Sequence, residues 1–202
     1  LTVLAVGGDG DGLSIGIGHF PHAARRNVNI TYLLLDNRIY GLTKGQTSPT
    51  TRQGFRTKTS PHGVVETPMN PVELAIIFGA TFTARGYSGH PKLLHKLITQ
   101  AISHEGFSLV HVLSPCLTFA KGSGFEYFNS IVKPLPDDHD PADRQAALVA
   151  SNDAETIYSG VFYQSESDEY FSRMQQDGSS RGRELDDSHP RIDIEALIDR
   201  FS

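Results

Sequence analysis

Two short polar segments, each placed directly after an apolar run, carry side chains that could do chemistry. Gly8-Asp9-Gly10 ends the first run, and after residues 11–35 comes the pair Asp36-Asn37. Glycines let backbone N–H groups approach a phosphate closely, and a following helix offers its positive end. A carboxylate in such a turn repels bare phosphate unless a divalent cation lies between them, as Mg²⁺ commonly does. The segments therefore predict a phosphate-bearing ligand held with the help of a metal ion.

The elements around these segments predict how they are brought together. Residues 2–6 are a continuous apolar run, typical of a strand buried on both faces. A Gly/Asp turn at 7–12, a helix over about 14–26 and a second buried strand at 30–35 follow. Strand, turn, helix and strand in this order form a βαβ unit with parallel strands. Both polar segments then lie at the carboxyl edge of one sheet, where open α/β sheets bind ligands.

The remaining pattern extends this unit to an α/β doubly wound, mostly parallel sheet. Residues 37–69 form a long loop rich in Thr, Ser, Gly and Pro, of the kind usually kept for function. Asn70 and Pro71 are typical of a helix start. Helices are predicted over 72–78, 91–104, 141–150 and 192–201, and strands over 80–85, 107–113 and 160–163. Residues 165–190 are polar and charged and are expected to be mobile or ordered only against a partner.

Composition and charge divide the chain near residue 120. The net charge is -5, but residues 1–120 hold 10 Lys and Arg against 6 Asp and Glu. Residues 121–202 hold 8 against 17. The front half is too weakly basic to favour nucleic acid. We expect a ligand-binding α/β domain over 1–120 and an acidic extension over 121–202 that contacts another subunit.

Membrane and export signals are not seen in the sequence. No run of about 18 apolar residues is present, and no basic-then-apolar segment stands at the start. The single cysteine, Cys116, excludes an internal disulfide and is typical of a reducing compartment. We therefore expect a cytoplasmic protein without membrane contact.

Other glycine-rich signatures fail on residues that their chemistry requires. The dinucleotide-binding pattern places Leu13 or Ile15 where its third glycine belongs, and the Gly-Lys-Ser/Thr phosphate loop is absent. A calcium loop beginning at Asp9 has Phe20 in place of its bidentate glutamate. The thiamine diphosphate signature does match, because Gly-Asp-Gly is followed after 25 residues by a pair ending in Asn. In this interpretation Asp9, the amide oxygen of Asn37 and the backbone carbonyl of Ile39 bind Mg²⁺ together with the diphosphate.

Longer strings carry a resemblance to a known family. They are GDGDGLSIG at 8–16, HAARRN at 22–27, NRIYGLTKGQ at 37–46 and SPTT at 48–51. Residues 1–120 closely resemble the β subunits of 2-oxoacid:ferredoxin oxidoreductases, the 2-oxoglutarate branch in particular, and the rest does so loosely. The resemblance implies a complex that oxidatively decarboxylates a 2-oxoacid to an acyl-CoA and reduces ferredoxin. It implies the cofactors thiamine diphosphate, Mg²⁺ and a [4Fe–4S] cluster, and it implies the same three metal ligands.

The resemblance also implies roles for other residues. Thiamine diphosphate contacts fall on Gly10 and Asp11 in the first turn and on Gly41 and Leu42 after the second strand. His19 is placed near the diphosphate. Lys44 is implied to contact the substrate carboxylate or coenzyme A. A cation there suits 2-oxoglutarate, and members restricted to pyruvate tend to lack it.

Two further features imply that the chain does not act alone. Cys116 resembles the last ligand of the cluster, which usually needs four thiolates, so the other three are expected upstream in a longer chain. The glutamate that activates the pyrimidine ring is normally on a separate domain, which implies a partner α subunit. Alternatives remain: a pyruvate or broad-specificity enzyme, a decarboxylase-type thiamine enzyme, or a non-catalytic fragment.

Overall fold

The computed structural model describes residues 2–120, 122, 124–168, 170 and 172. Its longer strands are β1 (Leu4–Gly8), β2 (Ile30–Asp36), β5 (Phe82–Tyr87), β6 (Phe107–Leu113), β7 (Val132–Pro134) and β8 (Ile157–Gln164). The short strands β3 (Ile39–Tyr40) and β4 (Gln46–Thr47) form a separate antiparallel hairpin. Within the described residues, the longer strands form one sheet in the order β1-β2-β6-β5-β8-β7. In this sheet β1, β2, β6 and β5 run parallel to one another, and β8 runs antiparallel to β5.

Helices cover both faces of this sheet, which confirms the predicted α/β doubly wound class. They are α1 (Asp9–Gly12), α2 (Phe20–Arg26), α3 (Pro71–Ile77), α4 (Pro91–Ser103), α5 (Phe125–Ile131) and α6 (Arg144–Ser151). On one face, α2 and α3 pack on β2 and β6 through a cluster that includes Phe20, Leu34 and Leu109. On the other face, α4 packs through Leu97 and Ala101. Adjacent residues of one strand enter different clusters, as the alternation of side chains in a strand requires.

The continuous helix predicted over residues 14–26 is wrong. The chain forms the short helix α1, a 3₁₀ turn at Ile15–Gly18 and then α2. Pro21 stands in the first turn of α2, where its missing N–H costs nothing, and inside a longer helix it would break one hydrogen bond. The predicted Gly/Asp turn at 7–12 is also more regular than expected, since β1 continues to Gly8 and α1 starts at Asp9.

The prediction that the first strand is buried on both faces is also wrong. Within the described residues β1 pairs with β2 alone and forms an edge of the sheet. Val3, Leu4 and Val6 are about half exposed, at 45%, 46% and 58%. A continuous apolar run does not distinguish a central strand from an edge strand that presents apolar side chains to solvent.

Most of the other predicted elements are confirmed, with shifted ends. Asn70 caps α3 by accepting a hydrogen bond from the backbone N–H of Glu73, at 3.5 Å. β6 has the predicted bounds, whereas β5 starts two residues later than predicted because Gly79, at φ +90°, and Ala80 close the end of α3. β8 extends the predicted short strand in both directions, and α6 starts at Arg144 behind the capping carboxylate of Asp143.

Four elements were missed, and some predictions lie outside the described residues. The missed elements are the short hairpin of β3 and β4, within the predicted loop, and α5 and β7, which follow each other without a turn signal between them. Most of segment 165–190 and the whole of the helix predicted over 192–201 lie outside the described residues. The domain boundary near residue 120 stays a prediction, and β7 and β8 beyond it belong to the same sheet as the strands before it. No helix in the described part of the chain is long and apolar enough to cross a membrane.

Candidate functional site

Two aspartates meet where β1 and β2 end at the carboxyl edge of the sheet. Gly8 and Leu35 are partners in the parallel register, so the next residues, Asp9 and Asp36, come to lie on neighbouring strand ends. Both side chains are buried, at 2% and 1% exposure. The two segments singled out by their chemistry are therefore brought together as predicted.

A third residue, Thr50, lies between the two carboxyl groups. Its Oγ1 is 2.7 Å from Oδ2 of Asp9 and 2.8 Å from Oδ1 of Asp36. The segment that carries it is fixed by Thr51, whose hydroxyl accepts from the backbone N–H of Ser48 and donates to the carbonyl of Arg38. The long loop predicted to be functional thus returns to the sheet edge and places a buried hydroxyl against both aspartates.

The two carboxyl groups differ in their ease of ionisation. Burial and the nearby charge of Asp36 raise the pKa of Asp9 to about 6, although hydrogen bonds from Ser48, Thr50 and the backbone N–H of Asn37 oppose the shift. Burial also opposes ionisation of Asp36, yet the hydrogen bond donated by His111 and the charge of Arg38 hold its pKa below the usual value. No cation of the described residues is among the groups that shift the pKa of this buried carboxyl group, an environment that a metal ion would satisfy.

The ligands predicted for Mg²⁺ are adjacent in the structure. The backbone N–H of Asn37 donates to Asp9, and the side-chain Oδ1 of Asn37 accepts from the N–H of Ile39 at 2.9 Å. Ile39 is buried in β3. Carboxylate, amide and carbonyl oxygens are the donors that Mg²⁺ prefers, so these residues fit it. Across the described residues no group of three or more His, Cys, Asp and Glu side chains could hold a metal, so a site here relies on amide and carbonyl oxygens.

Glycine is required at position 10 by the close approach of Tyr40. The Tyr40 hydroxyl donates to the carbonyl of Gly10 at 2.9 Å, and its ring covers the residue. A Cβ at position 10 would lie 2.3 Å from Cε1 of that ring. Gly12 is constrained in the same way by the hydroxyl of Tyr32. Close packing by two tyrosines therefore accounts for the second glycine of the signature, Gly10, and for Gly12 just after it.

Gly10→Ala is expected to displace Tyr40 and to destabilise the protein by about 1–3 kcal/mol, the usual cost of overpacking. Gly18→Ala is the matched control, because no atom lies within 4 Å of a Cβ at that position. The thermal midpoints of the two variants and the unmodified protein would be compared. Equal midpoints for Gly10→Ala and Gly18→Ala would contradict the requirement for glycine at position 10.

Two of the implied cofactor contacts lie on a groove beside β1. Asp11 and His19 are exposed and line a groove of about 300 Å³ together with Gly12, Gly16 and Tyr32. Burial raises the pKa of Tyr32 to about 12, and the nearby charge of Asp11 contributes to the shift. The cofactor contacts assigned to Asp11 and His19 stay predictions.

The turn between β3 and β4 carries the other implied contacts. Lys44 has a left-handed backbone, at φ 74°, and donates its N–H to the carbonyl of Gly41 at 3.1 Å. Its side chain and that of Leu42 are exposed. The turn lies against Phe119, since a Cβ at Gly45 would be 3.3 Å from the Cβ of that phenylalanine. The backbone N–H of Phe119 in turn donates to Sγ of Cys116 at 3.4 Å, so the turn and the cysteine loop are neighbours.

Besides Thr50, two residues that complete the site were not predicted from the sequence. His111 donates from Nε2 to Oδ2 of Asp36 at 2.7 Å, and Arg85 donates from Nε to Nδ1 of His111 at 3.1 Å. Burial and the neighbouring charge of Arg85 lower the pKa of His111. The signal that could have identified them is an ionisable residue inside a predicted central strand. Such a strand is buried along its whole length, as β5 and β6 are. Asp36, Thr50, Arg85 and His111 also line a cavity of about 730 Å³.

Comparison with known proteins places this geometry among thiamine enzymes. A family model described as "Thiamine pyrophosphate enzyme, C-terminal TPP binding domain" matches residues 1–112. A second family model, which describes the C-terminal part of the pyruvate ferredoxin oxidoreductase beta chain, matches residues 116–177.

Individual relatives agree with these models. The chain is 40% identical over 178 residues to the 2-oxoacid:ferredoxin oxidoreductase subunit beta of Saccharolobus solfataricus, covering 82% of this chain and 58% of the relative. It is 49% identical over 123 residues to the 2-oxoglutarate oxidoreductase subunit KorB of Mycobacterium tuberculosis, covering 61% of this chain and 33% of that one. The chain therefore spans little more than half the length of the Saccharolobus relative and about one third of the length of the Mycobacterium relative.

A solved structure is similar over most of the fold. It is the 2-oxoglutarate:ferredoxin oxidoreductase from Magnetococcus marinus with 2-oxoglutarate, coenzyme A and succinyl-CoA bound. Its TM-score is 0.82 at 40% identity, covering 92% of this chain and 67% of the other.

Proposed function

We propose that this chain, which belongs to the family of 2-oxoacid:ferredoxin oxidoreductase β subunits, supplies the cofactor-binding half of an enzyme that forms acyl-CoA and CO₂ from a 2-oxoacid. The electrons released reduce ferredoxin, and 2-oxoglutarate is the proposed substrate. The observation that carries the proposal is the hydrogen-bonded run of Asp9, Asn37 and Ile39 at the carboxyl edge of the sheet, within the domain matched by the thiamine pyrophosphate model. The proposed compartment is the cytoplasm.

Each predicted site residue has a part in this proposal. Asp9, Asn37 and the carbonyl of Ile39 hold Mg²⁺, which neutralises the diphosphate beside a buried carboxylate. Thiamine diphosphate held there would supply a nucleophilic carbon for chemistry at the keto group of the substrate. This chain orients that cofactor through Gly10 and the neighbouring contacts, which are Asp11, His19, Gly41 and Leu42.

Lys44 supports 2-oxoglutarate as the substrate. It is exposed on a turn that lies against Phe119, and in our proposal its ammonium group contacts the bound substrate. A second carboxylate distinguishes 2-oxoglutarate from pyruvate, and a lysine provides a charge-assisted hydrogen bond to it.

In our proposal, residues beyond these 202 complete two parts of the enzyme. They are the cluster that Cys116 helps to bind and the site that activates the pyrimidine ring of the cofactor. The 202 residues hold one cysteine, so they do not fit a four-thiolate [4Fe–4S] cluster by themselves, and we assign this chain no step through it. In our proposal Cys116 is one of four ligands, its sulfur accepting the N–H of Phe119. A partner α subunit supplies the glutamate that activates the pyrimidine ring, which places the cofactor at a subunit interface.

The test is coenzyme A-dependent reduction of viologen by the native complex, supplied separately with 2-oxoglutarate and pyruvate. We expect reduction with 2-oxoglutarate. Preference for pyruvate would retain the enzyme class and reject the substrate. Absence of reduction with either, in a complex without bound thiamine diphosphate and iron, would favour a non-catalytic fragment.

Lys44→Met is expected to lower kcat/KM for 2-oxoglutarate roughly 10–100-fold, since a hydrogen bond to a charged group is worth about 1.5–3 kcal/mol. The value for pyruvate should change much less, because pyruvate lacks the second carboxylate. The control is Lys92→Met, which removes an exposed lysine at the start of α4. An equal loss for both substrates would contradict recognition of that carboxylate by Lys44.

A further inference from the structure

A continuous series of buried hydrogen bonds leads away from Asp9 across three strands. Thr50 connects Asp9 to Asp36, His111 continues from Asp36, and Arg85 continues from His111. The four side chains beyond Asp9 are all at most 5% exposed. We call Thr50, Asp36, His111 and Arg85 the support column of Asp9.

The directions of the two hydrogen bonds of His111 follow from the donors on either side. A guanidinium group only donates, so Nδ1 of His111 must accept from Nε of Arg85. The imidazole therefore carries its proton on Nε2 and donates it to Oδ2 of Asp36, at 2.7 Å. Arg85 and His111 are partners in the register of β5 and β6, so the sheet itself fixes their separation.

Asp36 is held on both of its oxygens. Oδ2 accepts from His111, and Oδ1 accepts from the backbone N–H of Arg38 at 2.9 Å. Its main chain is also fixed, because its carbonyl accepts from the N–H of Ser114 at 2.8 Å. A carboxylate fixed in this way gives Thr50 a stationary partner, and the position of Thr50 then limits where Oδ2 of Asp9 can lie.

We propose that Thr50, Asp36 and His111 are positioning residues that hold the Asp9 carboxylate in place for Mg²⁺. The inference rests on the proposed function, because it concerns the metal that accompanies the cofactor. Outer partners of this kind orient metal ligands, and losing one typically costs 10–100-fold in metal affinity. Nothing in the motif identifies Thr50 or His111, because each lies far from Asp9 along the chain.

The experiment measures retention of radiolabelled thiamine diphosphate by the complex in equilibrium dialysis, as a function of Mg²⁺ concentration. Thr50→Val removes the hydroxyl and keeps the shape of the side chain. We expect the half-saturating Mg²⁺ concentration to rise roughly 10–100-fold, with the amount of cofactor bound at saturating Mg²⁺ unchanged. Thr50→Ser keeps the hydroxyl and should restore the Mg²⁺ dependence of the unmodified complex.

The matched control is Thr83→Val. Thr83 is a fully buried threonine on β5 whose hydroxyl has no hydrogen-bond partner within the described residues. The same exchange there should leave the Mg²⁺ dependence unchanged. A purely structural effect would lower the amount of cofactor bound at saturation instead of shifting the Mg²⁺ dependence.

A second pair of variants tests the far end of the column. His111→Leu removes the donor to Asp36 and should raise the half-saturating Mg²⁺ concentration, whereas His111→Gln offers an amide N–H in its place and should raise it less. If Thr50→Val and both His111 variants follow the unmodified curve, the positioning role is overturned. If the unmodified complex retains no cofactor at any Mg²⁺ concentration, it is the proposed function that fails.

Discussion

Asp9→Asn is expected to abolish Mg²⁺-dependent binding of thiamine diphosphate while making the metal-free protein more stable. The carboxylate is the one charged ligand in the proposed set, so its loss should weaken Mg²⁺ by more than the roughly 10–100-fold cost of losing an outer partner. The same carboxylate is buried beside Asp36, and without a cation that arrangement is unfavourable. Binding and stability should therefore change in opposite directions.

The pKa of Asp9 sets the pH range of the stability gain. It is about 6 in the folded protein against an ordinary value of 3.8, so the folded state binds more protons between these values. Stability of the metal-free protein therefore falls as pH rises through this range, by roughly 2–3 kcal/mol in total. Asn at this position should remove that fall, so the two thermal midpoints should converge near pH 4 and differ at pH 7.

The control for this prediction is Asp137→Asn, an equal change of charge at an exposed residue. It should alter neither the Mg²⁺ dependence nor the pH dependence of stability. A lower thermal midpoint for Asp9→Asn at pH 7, measured without metal, would show that the Asp9 carboxylate is satisfied by the protein itself.

The sequence predicted the parts of the fold and site that depend on local pattern. The run 107–113 is apolar apart from Ser108 and His111, and it forms β6 with the predicted bounds, since a central strand must be apolar on both faces. The spacing of Gly8-Asp9-Gly10 and Asp36-Asn37 correctly predicted that two neighbouring strands end together. Asn70 and Pro71 located the start of α3 for the same local reason.

What the sequence did not predict depends on contacts between distant residues. Thr50 is 41 residues from Asp9, and His111 is 75 residues from Asp36, so no local pattern relates them. The exposure of β1 depends on which strands flank it, which hydrophobicity alone does not encode. The interruption of the predicted helix near Pro21 was predictable from the proline itself. The helical spacing of the neighbouring apolar residues favoured a continuous helix instead.

Arg85→Leu is expected to cause the largest loss of stability, about 3–5 kcal/mol, the usual cost of breaking a buried ionic network. Burial lowers the pKa of Arg85 to about 10, so the side chain is still a cation at neutral pH. Besides His111, it donates from Nη2 to Oδ1 of Asn70 at 2.9 Å and stacks on the ring of Phe162, 5.1 Å from its centroid. Leucine would leave Nδ1 of His111 without its donor and would loosen the residue that caps α3.

The matched control is Arg144→Leu. Arg144 is exposed and donates from Nη2 to the carbonyl of Ile76 near the end of α3, at 2.9 Å. Its replacement should cost about 1 kcal/mol or less, because water can take the place of the lost donor. Chemical denaturation of the metal-free protein would give both values. Similar losses for the two variants would mean that Arg85 contributes no more than an ordinary hydrogen bond. A much larger loss for Arg85→Leu would show that one guanidinium group stabilises both the charge network beside Asp9 and the start of α3.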